Sequence, residues 1–336
     1  MKARAKVNAN IRTLAGRDVS APSSVQGQGS IYSDPKYETY RRLWKECPEN
    51  FMVPFFPLFL DLEATSMCNL KCPYCVQTID PNFVRGFMEW DLYARIIDEA
   101  ADHGCFGVKY HTIGRGEPLL HKKLPEMVAY AKGKGMVDVY VNTNATLLTP
   151  ELSHKLLDAG LDRISFSIDG YSKEFYEKNR VGANFADVLK NVTKFWLLRE
   201  ENNYPTRIRI QTVELPGLDL GKYASMWGPI CDEVAVIAYK EMSHRVYGLK
   251  GEGWACPQLW QRMSVLFDGT ILPCNHLDRE KFRMFGNVKE KRLFDVWHGE
   301  EMTYMRARHM EGESHLVAAC DGCSLRTTEL SLLGLV

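Results

Sequence analysis

The sequence predicts an α/β fold, a partial (β/α)6 TIM-like barrel followed by a small C-terminal domain that is rich in cysteine. Two observations carry this prediction. Short β-rich apolar runs alternate with amphipathic helical segments from residue 55 to about residue 245, and four cysteines gather after residue 250, where the alternation has ended. Because parallel strands need crossover helices, such units form an open sheet or part of a barrel, and both place ligands at the carboxyl ends of the strands.

The individual elements follow from the spacing of the apolar residues. Residues 1–54 are polar and predict an arm with one short helix at 37–45. The strands are predicted at 58–62, 108–113, 137–141, 164–168, 208–213 and 234–237. The helices are predicted at 90–101, 124–131, 150–159, 185–198 and 220–230. These limits divide the chain into an arm at 1–54, a barrel at 55–245 and a cysteine-rich domain at 250–330.

Composition excludes several classes of protein. The 336 residues carry 42 Lys and Arg against 42 Asp and Glu, so no basic field that would attract nucleic acid is expected. The chain has no apolar run long enough to span a membrane and no secretory signal, which predicts a cytoplasmic protein without membrane contact. Ten cysteines in a reducing compartment indicate metal binding or redox chemistry rather than disulfides.

Three cysteines follow the first predicted strand. Cys68, Cys72 and Cys75 have the spacing C-x3-C-x2-C and lie where a parallel α/β fold keeps its ligands. Three thiolates are one too few for a closed zinc site. They suit a [4Fe–4S] cluster in which one iron stays free for another ligand.

This cysteine loop, with Tyr74 before its last cysteine, resembles the signature of the radical S-adenosylmethionine (SAM) superfamily. The resemblance implies that the free iron binds SAM and that a reduced cluster cleaves it to a 5′-deoxyadenosyl radical, which takes a hydrogen atom from the substrate. It also implies an external electron donor such as flavodoxin or ferredoxin. Gly114-Arg115-Gly116-Glu117-Pro118 is similar to the Gly-Gly-Glu-Pro segment of that family, with Arg115 separating the glycines.

The same resemblance assigns SAM contacts to polar residues at the ends of the strands. Tyr74 is expected near the adenine, and Arg180 is expected to pair with the SAM carboxylate. The full set of expected contacts is Tyr74, Gly114, Gly116, Glu117, Pro118, Asn142, Asn144, Ser167, Asp169 and Arg180.

The C-terminal cysteines resemble those of the SPASM and shorter "twitch" domains of radical SAM enzymes. Cys256, Cys274, Cys320 and Cys323 would hold a second, fully ligated [4Fe–4S] cluster that passes electrons. A zinc ribbon is the alternative for four cysteines that include one C-x2-C pair.

The layout with one auxiliary cluster resembles that of aminocyclitol dehydrogenases and epimerases, and the segment around Tyr40 looks like radical SAM proteins of sugar clusters. The resemblance implies oxidation of a secondary alcohol on a sugar or aminocyclitol. Epimerisation of such a substrate and modification of a ribosomal peptide remain alternatives, and a small molecule is favoured because residues 1–54 are too short for a peptide-recognition domain. Cys105 and Cys231 precede strands and are expected in the core rather than as hydrogen donors.

Groups that could contact the substrate or accept a proton are expected after the last two strands of the barrel. Lys240, Glu241 and Arg245 are the candidates after the sixth predicted strand, beside His244, and Glu214 follows the fifth.

Overall fold

The strands of the barrel lie where the sequence predicts them, while residues 111–113 of the second predicted strand lie outside the described residues. The computed structural model describes residues 11–16, 34–80, 83–110, 116–239, 246–250, 254–275 and 285–334. The strands are β1 (Ile11–Gly16), β2 (Phe59–Leu62), β3 (Gly107–Tyr110), β4 (Asp138–Thr143), β5 (Arg163–Ser167), β6 (Arg207–Val213), β7 (Glu233–Ile237), β8 (Arg262–Val265) and β9 (Ile271–Leu272). Strands β2 to β7 confirm the six predicted units.

Within the described residues the strands form one sheet in the order β1-β7-β6-β5-β4-β3-β2-β8-β9. Neighbouring strands from β7 through β2 to β8 pair in parallel, and the edge strands β1 and β9 pair antiparallel with β7 and β8. The sheet does not close on itself, so the fold is a partial barrel, as predicted.

Helices lie between the successive parallel strands from β2 to β7, and further helices precede β2 and follow β9. They are α1 (Pro35–Glu49), α2 (Val76–Ile79), α3 (Trp90–Asp102), α4 (Leu124–Gly133), α5 (Pro150–Asp158), α6 (Lys173–Asn179), α7 (Phe185–Glu201), α8 (Leu220–Trp227), α9 (Leu293–Trp297), α10 (Glu300–Met310) and α11 (Ser324–Leu332). Helix α5 shows why they start where they do: the Thr149 hydroxyl accepts a hydrogen bond from the Leu152 amide at 3.1 Å, and Pro150 begins the first turn. Within the described ranges, no helix combines the length and the apolar character needed to cross a membrane.

The two faces of the sheet differ in polarity. The side chains of Val139, Ile164 and Ile208 are fully buried in the main apolar core. Strand β6 alternates buried and half-buried positions along its length, and its half-buried positions carry Arg209 and Gln211. A period of two places these polar side chains on the inner face of the barrel.

Helix α1 closes the amino end of the barrel. Tyr40 stacks on Phe59 and Phe106, which stand at the amino ends of β2 and β3, with ring centroids 6.2 and 5.5 Å apart. The guanidinium of Arg262, the first residue of β8, lies 4.7 Å from the Trp44 ring. The interior of the barrel is therefore covered at this end by the helix predicted at 37–45.

Strands β1 and β8 were not predicted from the sequence. The arm contributes β1, which pairs with β7, and Arg12 forms an ion pair of 2.6 Å with Glu214. The C-terminal region contributes β8, which pairs in parallel with β2 and extends the barrel sheet. The polar sequence around Arg12 carries no local strand pattern, and β1 and β8 form because a long-range partner strand offers its hydrogen-bonding edge.

Candidate functional site

The three cysteines that follow β2 lie at one end of a cavity of about 430 Å³ inside the barrel. Cys68, Cys72 and Cys75 all line this cavity. The loop is held in place by backbone hydrogen bonds from Cys75 to Cys72 at 3.0 Å and from Lys71 to Val181 at 2.9 Å. All ten cysteines lie in the described residues, and none forms a disulfide. Burial raises the pKa of Cys68 to about 11, so without a metal this thiol stays protonated at neutral pH.

The segment after β3 clamps the cysteine loop. Gly116 has φ +73°, and a Cβ built there would lie 1.7 Å from the Thr65 carbonyl oxygen, so only glycine fits. The Glu117 amide donates to the Met67 carbonyl at 2.7 Å. Pro118 begins a buried 3-10 turn directly after them. Gly116 therefore serves the approach of two protein segments.

Glu117 ties this segment to β4. Its buried carboxylate accepts hydrogen bonds from the Thr143 hydroxyl at 2.6 Å, the Asn144 amide at 2.7 Å and the Leu119 amide at 3.0 Å. Burial raises the pKa of Glu117. The side-chain amide of Asn144 donates to Asn69 Oδ1 at 3.1 Å and lies 4.0 Å from Cys68 Sγ. Asn144 thus connects the end of β4 to the cysteine loop.

A network of uncharged polar groups lines the middle of the cavity. Asn142 Oδ1 accepts from the Gln211 amide at 3.0 Å, and Asn142 Nδ2 lies 3.2 Å from the Ser167 hydroxyl. Asn142 and Ser167 were expected here from the sequence, whereas Gln211 was not. The alternation of arginine, isoleucine and glutamine along β6 is the signal that could have found it.

Asp169 lies behind the cavity wall and holds two residues that face the cavity. The side chain of Asp169 is fully buried, and its carboxylate accepts from Arg180 Nε at 2.6 Å, from the Tyr74 hydroxyl and from the Val213 amide at 2.8 Å. Arg180 and Tyr74 line the cavity. The structure therefore gives Asp169 a positioning role for Arg180 and Tyr74.

The four C-terminal cysteines come from three segments that hydrogen bonds join. His309 Nδ1 accepts from the Cys256 amide at 3.1 Å, and His309 Nε2 lies 3.3 Å from Cys320 Sγ. The Cys323 amide donates to the Cys320 carbonyl at 3.1 Å.

The loop of Cys274 is joined to the same group through its neighbour. The Asn275 amide donates to Gln258 Oε1 at 3.0 Å, and Gln258 lies two residues after Cys256. Burial raises the pKa of Cys256 to about 12.

The donors present fit two iron–sulfur clusters. The triad offers thiols alone, at the wall of a cavity that can admit a further ligand to the cluster, and the C-terminal group offers four thiols. The Leu70 amide lies 3.5 Å from Cys68 Sγ, a contact that suits a ligating sulfur. Among the residues that the structure describes, no three His, Cys, Asp or Glu side chains converge in a geometry that could hold a single metal ion.

Some of the predicted site residues are not placed. Gly114, Lys240, Glu241 and Arg245 lie outside the described residues, as does His244. Glu214 is described, and its carboxylate pairs with Arg12 at the exposed edge of the sheet.

Two family models match the chain. The radical SAM superfamily matches residues 62–195, and the SPASM iron–sulfur cluster-binding domain matches residues 256–324. The first range contains the cysteine triad, and the second contains the four C-terminal cysteines.

The relatives that match most of the chain include a cofactor-modifying protein and a peptide cyclase. A tungsten-containing aldehyde ferredoxin oxidoreductase cofactor-modifying protein from Pyrococcus furiosus is 28% identical over 321 residues, which cover 80% of this chain and 87% of the relative. A PqqA peptide cyclase from Xanthomonas euvesicatoria pv. vesicatoria is 25% identical over 308 residues, which cover 80% of this chain and 81% of the relative.

Solved structures share the fold. BtrN in complex with AdoMet and 2-DOIA is 19% identical with a TM-score of 0.53, and the match covers 80% of this chain and 92% of BtrN. Streptococcus suis SuiB bound to the precursor peptide SuiA is 15% identical with a TM-score of 0.58, and the match covers 87% of this chain and 77% of SuiB.

Proposed function

The chain is a radical SAM enzyme with an SPASM iron–sulfur domain, and on that premise we propose that it oxidises a secondary alcohol of a sugar or aminocyclitol to a ketone. The observation that carries the proposal is the second group of four cysteines, none of which lines the cavity. A cluster that the protein ligates fully has no free site for substrate, so its simplest role is to accept an electron.

When bound, the cluster of the triad and SAM supply a 5′-deoxyadenosyl radical that takes one hydrogen atom from the alcohol carbon, while the second cluster supplies the acceptor for one electron. Loss of one proton completes the oxidation to the ketone. The electron used to cleave SAM equals the electron returned, so the reaction needs no net oxidant beyond SAM. An external donor such as flavodoxin or ferredoxin provides the first electron.

The residues around the cavity divide the binding work. Arg180, oriented by Asp169, binds the SAM carboxylate through a charge-assisted hydrogen bond. Asn142 and Ser167 face the cavity and bind the ribose. Tyr74 packs beside the adenine.

Residues after β7 complete the site in this proposal. Lys240 or Glu241 accepts the proton of the alcohol, and Arg245 contacts the substrate. They follow a strand whose carboxyl end lies on the same edge of the sheet as the triad.

Oxidation is favoured over epimerisation by the positions of the remaining cysteines. An epimerase must return a hydrogen atom to the substrate, and a thiol beside the cavity is a suitable donor. Cys47, Cys105 and Cys231 are buried, and the cavity lining includes no cysteine apart from the triad. This arrangement supports a reaction that ends with loss of an electron.

Modification of a peptide is the second candidate. It is supported by the likeness to a PqqA peptide cyclase and to SuiB with its bound precursor peptide.

The test uses anaerobically reconstituted enzyme with dithionite and secondary alcohols deuterated at the carbinol carbon. The expected result is transfer of deuterium into 5′-deoxyadenosine, together with a ketone of equal amount, measured by mass spectrometry. Cys68→Ala should abolish both products. Cys320→Ala should retain SAM cleavage and lower ketone formation at least tenfold.

Two results would contradict the proposal. Ketone formation at the wild-type rate in Cys320→Ala would show that the C-terminal cysteines are not needed to accept the electron. Deuterium transfer from a peptide, with none from any sugar or aminocyclitol, would favour the second candidate.

A further inference from the structure

The inner face of the barrel below the triad is rich in cations. Lys109, Arg163, Arg209 and Arg262 all line the cavity that the triad closes at its other end. They belong to β3, β5, β6 and β8, and therefore surround the cavity from several sides.

Each arginine of this group has a carboxylate partner. Arg163 forms two hydrogen bonds of 2.7 Å with Asp138. Arg262 lies 3.0 Å from Asp61.

The ion pair of Arg209 is longer, with 3.6 Å between the Arg209 guanidinium and the Glu233 carboxylate. The charges of the three arginines are thus balanced inside the protein.

Lys109 is the exception. Its ammonium makes no hydrogen bond or ion pair with any residue that the structure describes, and its contact is the Tyr140 ring, 5.2 Å from Nζ to the centroid. The neighbouring charges have opposite effects on its pKa: Asp61 raises it, whereas Arg209 and Arg262 lower it. Burial is the largest influence, and the pKa of Lys109 is lowered.

Lys109 is half-buried, and a cation in this position without an ion-pair partner is costly, because the low-dielectric interior does not fully replace its lost hydration. The same surroundings contain further unsatisfied groups. Among the described residues, Arg209 Nε, Arg262 Nε and Asp61 Oδ1 are buried without a hydrogen-bond partner. The cavity wall itself offers Lys109, a cation without an ion-pair partner in the described part of the chain.

We propose that Lys109 binds an anionic substituent of the substrate, a carboxylate or a phosphate, deep in the barrel. This inference rests on the proposed function for the chemistry of the alcohol and adds the class of its substrate. An anion at Lys109 supplies the ion-pair partner that the described residues do not provide. The substrate is thus an acidic or phosphorylated sugar, in preference to a cationic aminocyclitol.

The experiment measures thermal unfolding of the anaerobically reconstituted holoenzyme in inorganic phosphate or acetate, against chloride at equal ionic strength. Binding to the folded state raises Tm by mass action. We expect a rise in wild type that is lost in Lys109→Met, with at least tenfold weaker apparent affinity. The anion that raises Tm, whether phosphate, acetate or both, then identifies the anionic group that Lys109 binds.

Lys222→Met is the matched control, since Lys222 is exposed and lies on α8, away from the cavity lining. It should keep the rise of the wild type. Lys109→Met should fold, because methionine has a similar length and removes a half-buried charge. An equal rise in Lys109→Met, or no rise in wild type with either anion, would overturn the proposal.

The readout involves no turnover, so failures of the two proposals are distinguishable. If anions bind at Lys109 but no alcohol gives a ketone, the proposal of an anion site stands and the proposed oxidation is refuted. Ketone formation from neutral sugars, at a rate that Lys109→Met does not change, would leave the oxidation and refute the anionic substrate.

Discussion

His309 shows how one side chain can organise a group of cysteines. A backbone N–H can only donate, so the contact with the Cys256 amide makes His309 Nδ1 the acceptor. The hydrogen of the neutral ring then resides on Nε2, which donates to Cys320 Sγ at 3.3 Å. Burial lowers the pKa of His309 to about 3, consistent with a neutral ring.

A hydrogen bond to a ligating sulfur stabilises the more negative, reduced state of a cluster and raises its reduction potential. His309→Leu should therefore lower the potential of the C-terminal cluster, by up to about 60 mV if the bond is worth a tenfold change in the one-electron equilibrium. The measurement is a redox titration followed by electron paramagnetic resonance, in a chain whose Cys68, Cys72 and Cys75 are alanine.

The control for this titration is His154→Leu, since His154 is an exposed residue of α5. Its potential should equal that of the parent chain. An unchanged potential in His309→Leu, with the cluster still present at four irons per chain, would mean that the histidine only packs.

At the scale of elements, the strands of the barrel were predictable because each buries a short apolar run between turns. The side chains on the inner face of these strands were not predictable in this way. Lys109 sits within a run selected for its apolar residues, and Arg262 belongs to a strand that was not predicted at all. The period of two along β6 does indicate a polar inner face.

The ion-pair partners of the charged side chains inside the barrel cannot be predicted from the sequence. Asp138 and Arg163 are 25 positions apart, while Asp61 and Arg262 are 201 apart. Such pairs depend on strand order and register, which no local pattern encodes. The cysteines and the polar residues at the strand ends could be predicted from the sequence, because their spacing is local.

The loop after β2 and the segment after β3 approach so closely that one substitution tests their contact. Gly116→Ala places a Cβ 1.7 Å from the Thr65 carbonyl oxygen at φ +73°, so the backbone must move. We expect a loss of about 3 kcal/mol in the free energy of unfolding, from strain and overpacking together. The measurement is denaturant unfolding of the metal-free chain.

Gly133→Ala is the matched control for this substitution. Gly133 ends α4, and a Cβ there would meet nothing within 4 Å. Alanine should leave stability unchanged or raise it by about 0.5 kcal/mol, because the unfolded chain loses freedom. Equal stability of the two variants would show that the segments do not clamp each other as described.

At the scale of the whole molecule, one sheet runs through both regions that the family models match. Strand β8, in the SPASM region, pairs in parallel with β2, the strand that precedes the triad in the sequence. Phe267 donates its amide to Glu63 at 3.0 Å, and the Trp297 indole donates to the Pro54 carbonyl at 2.8 Å. The two cluster regions are therefore expected to unfold together.

Ser264→Pro tests this coupling in the full chain. Ser264 lies between β2 and β9, where proline removes a backbone donor and does not fit a central strand. We expect a single unfolding transition in wild type, and in the proline variant a loss of about 3 kcal/mol or more that affects both regions at once. Calorimetry of the metal-free chain, with hydrogen exchange of β2 and β8, provides the measurement.

Ser264→Ala is the control, because the buried Ser264 hydroxyl has no hydrogen-bond partner among the described residues and alanine keeps the backbone donor. Alanine should be neutral or slightly stabilising, since it removes an unsatisfied polar group. If Ser264→Pro unfolds β8 while the exchange of β2 stays at the wild-type rate, the barrel does not need its last parallel strand. Equal protection losses in β2 and β8 would instead make the junction between triad and SPASM region part of one cooperative unit.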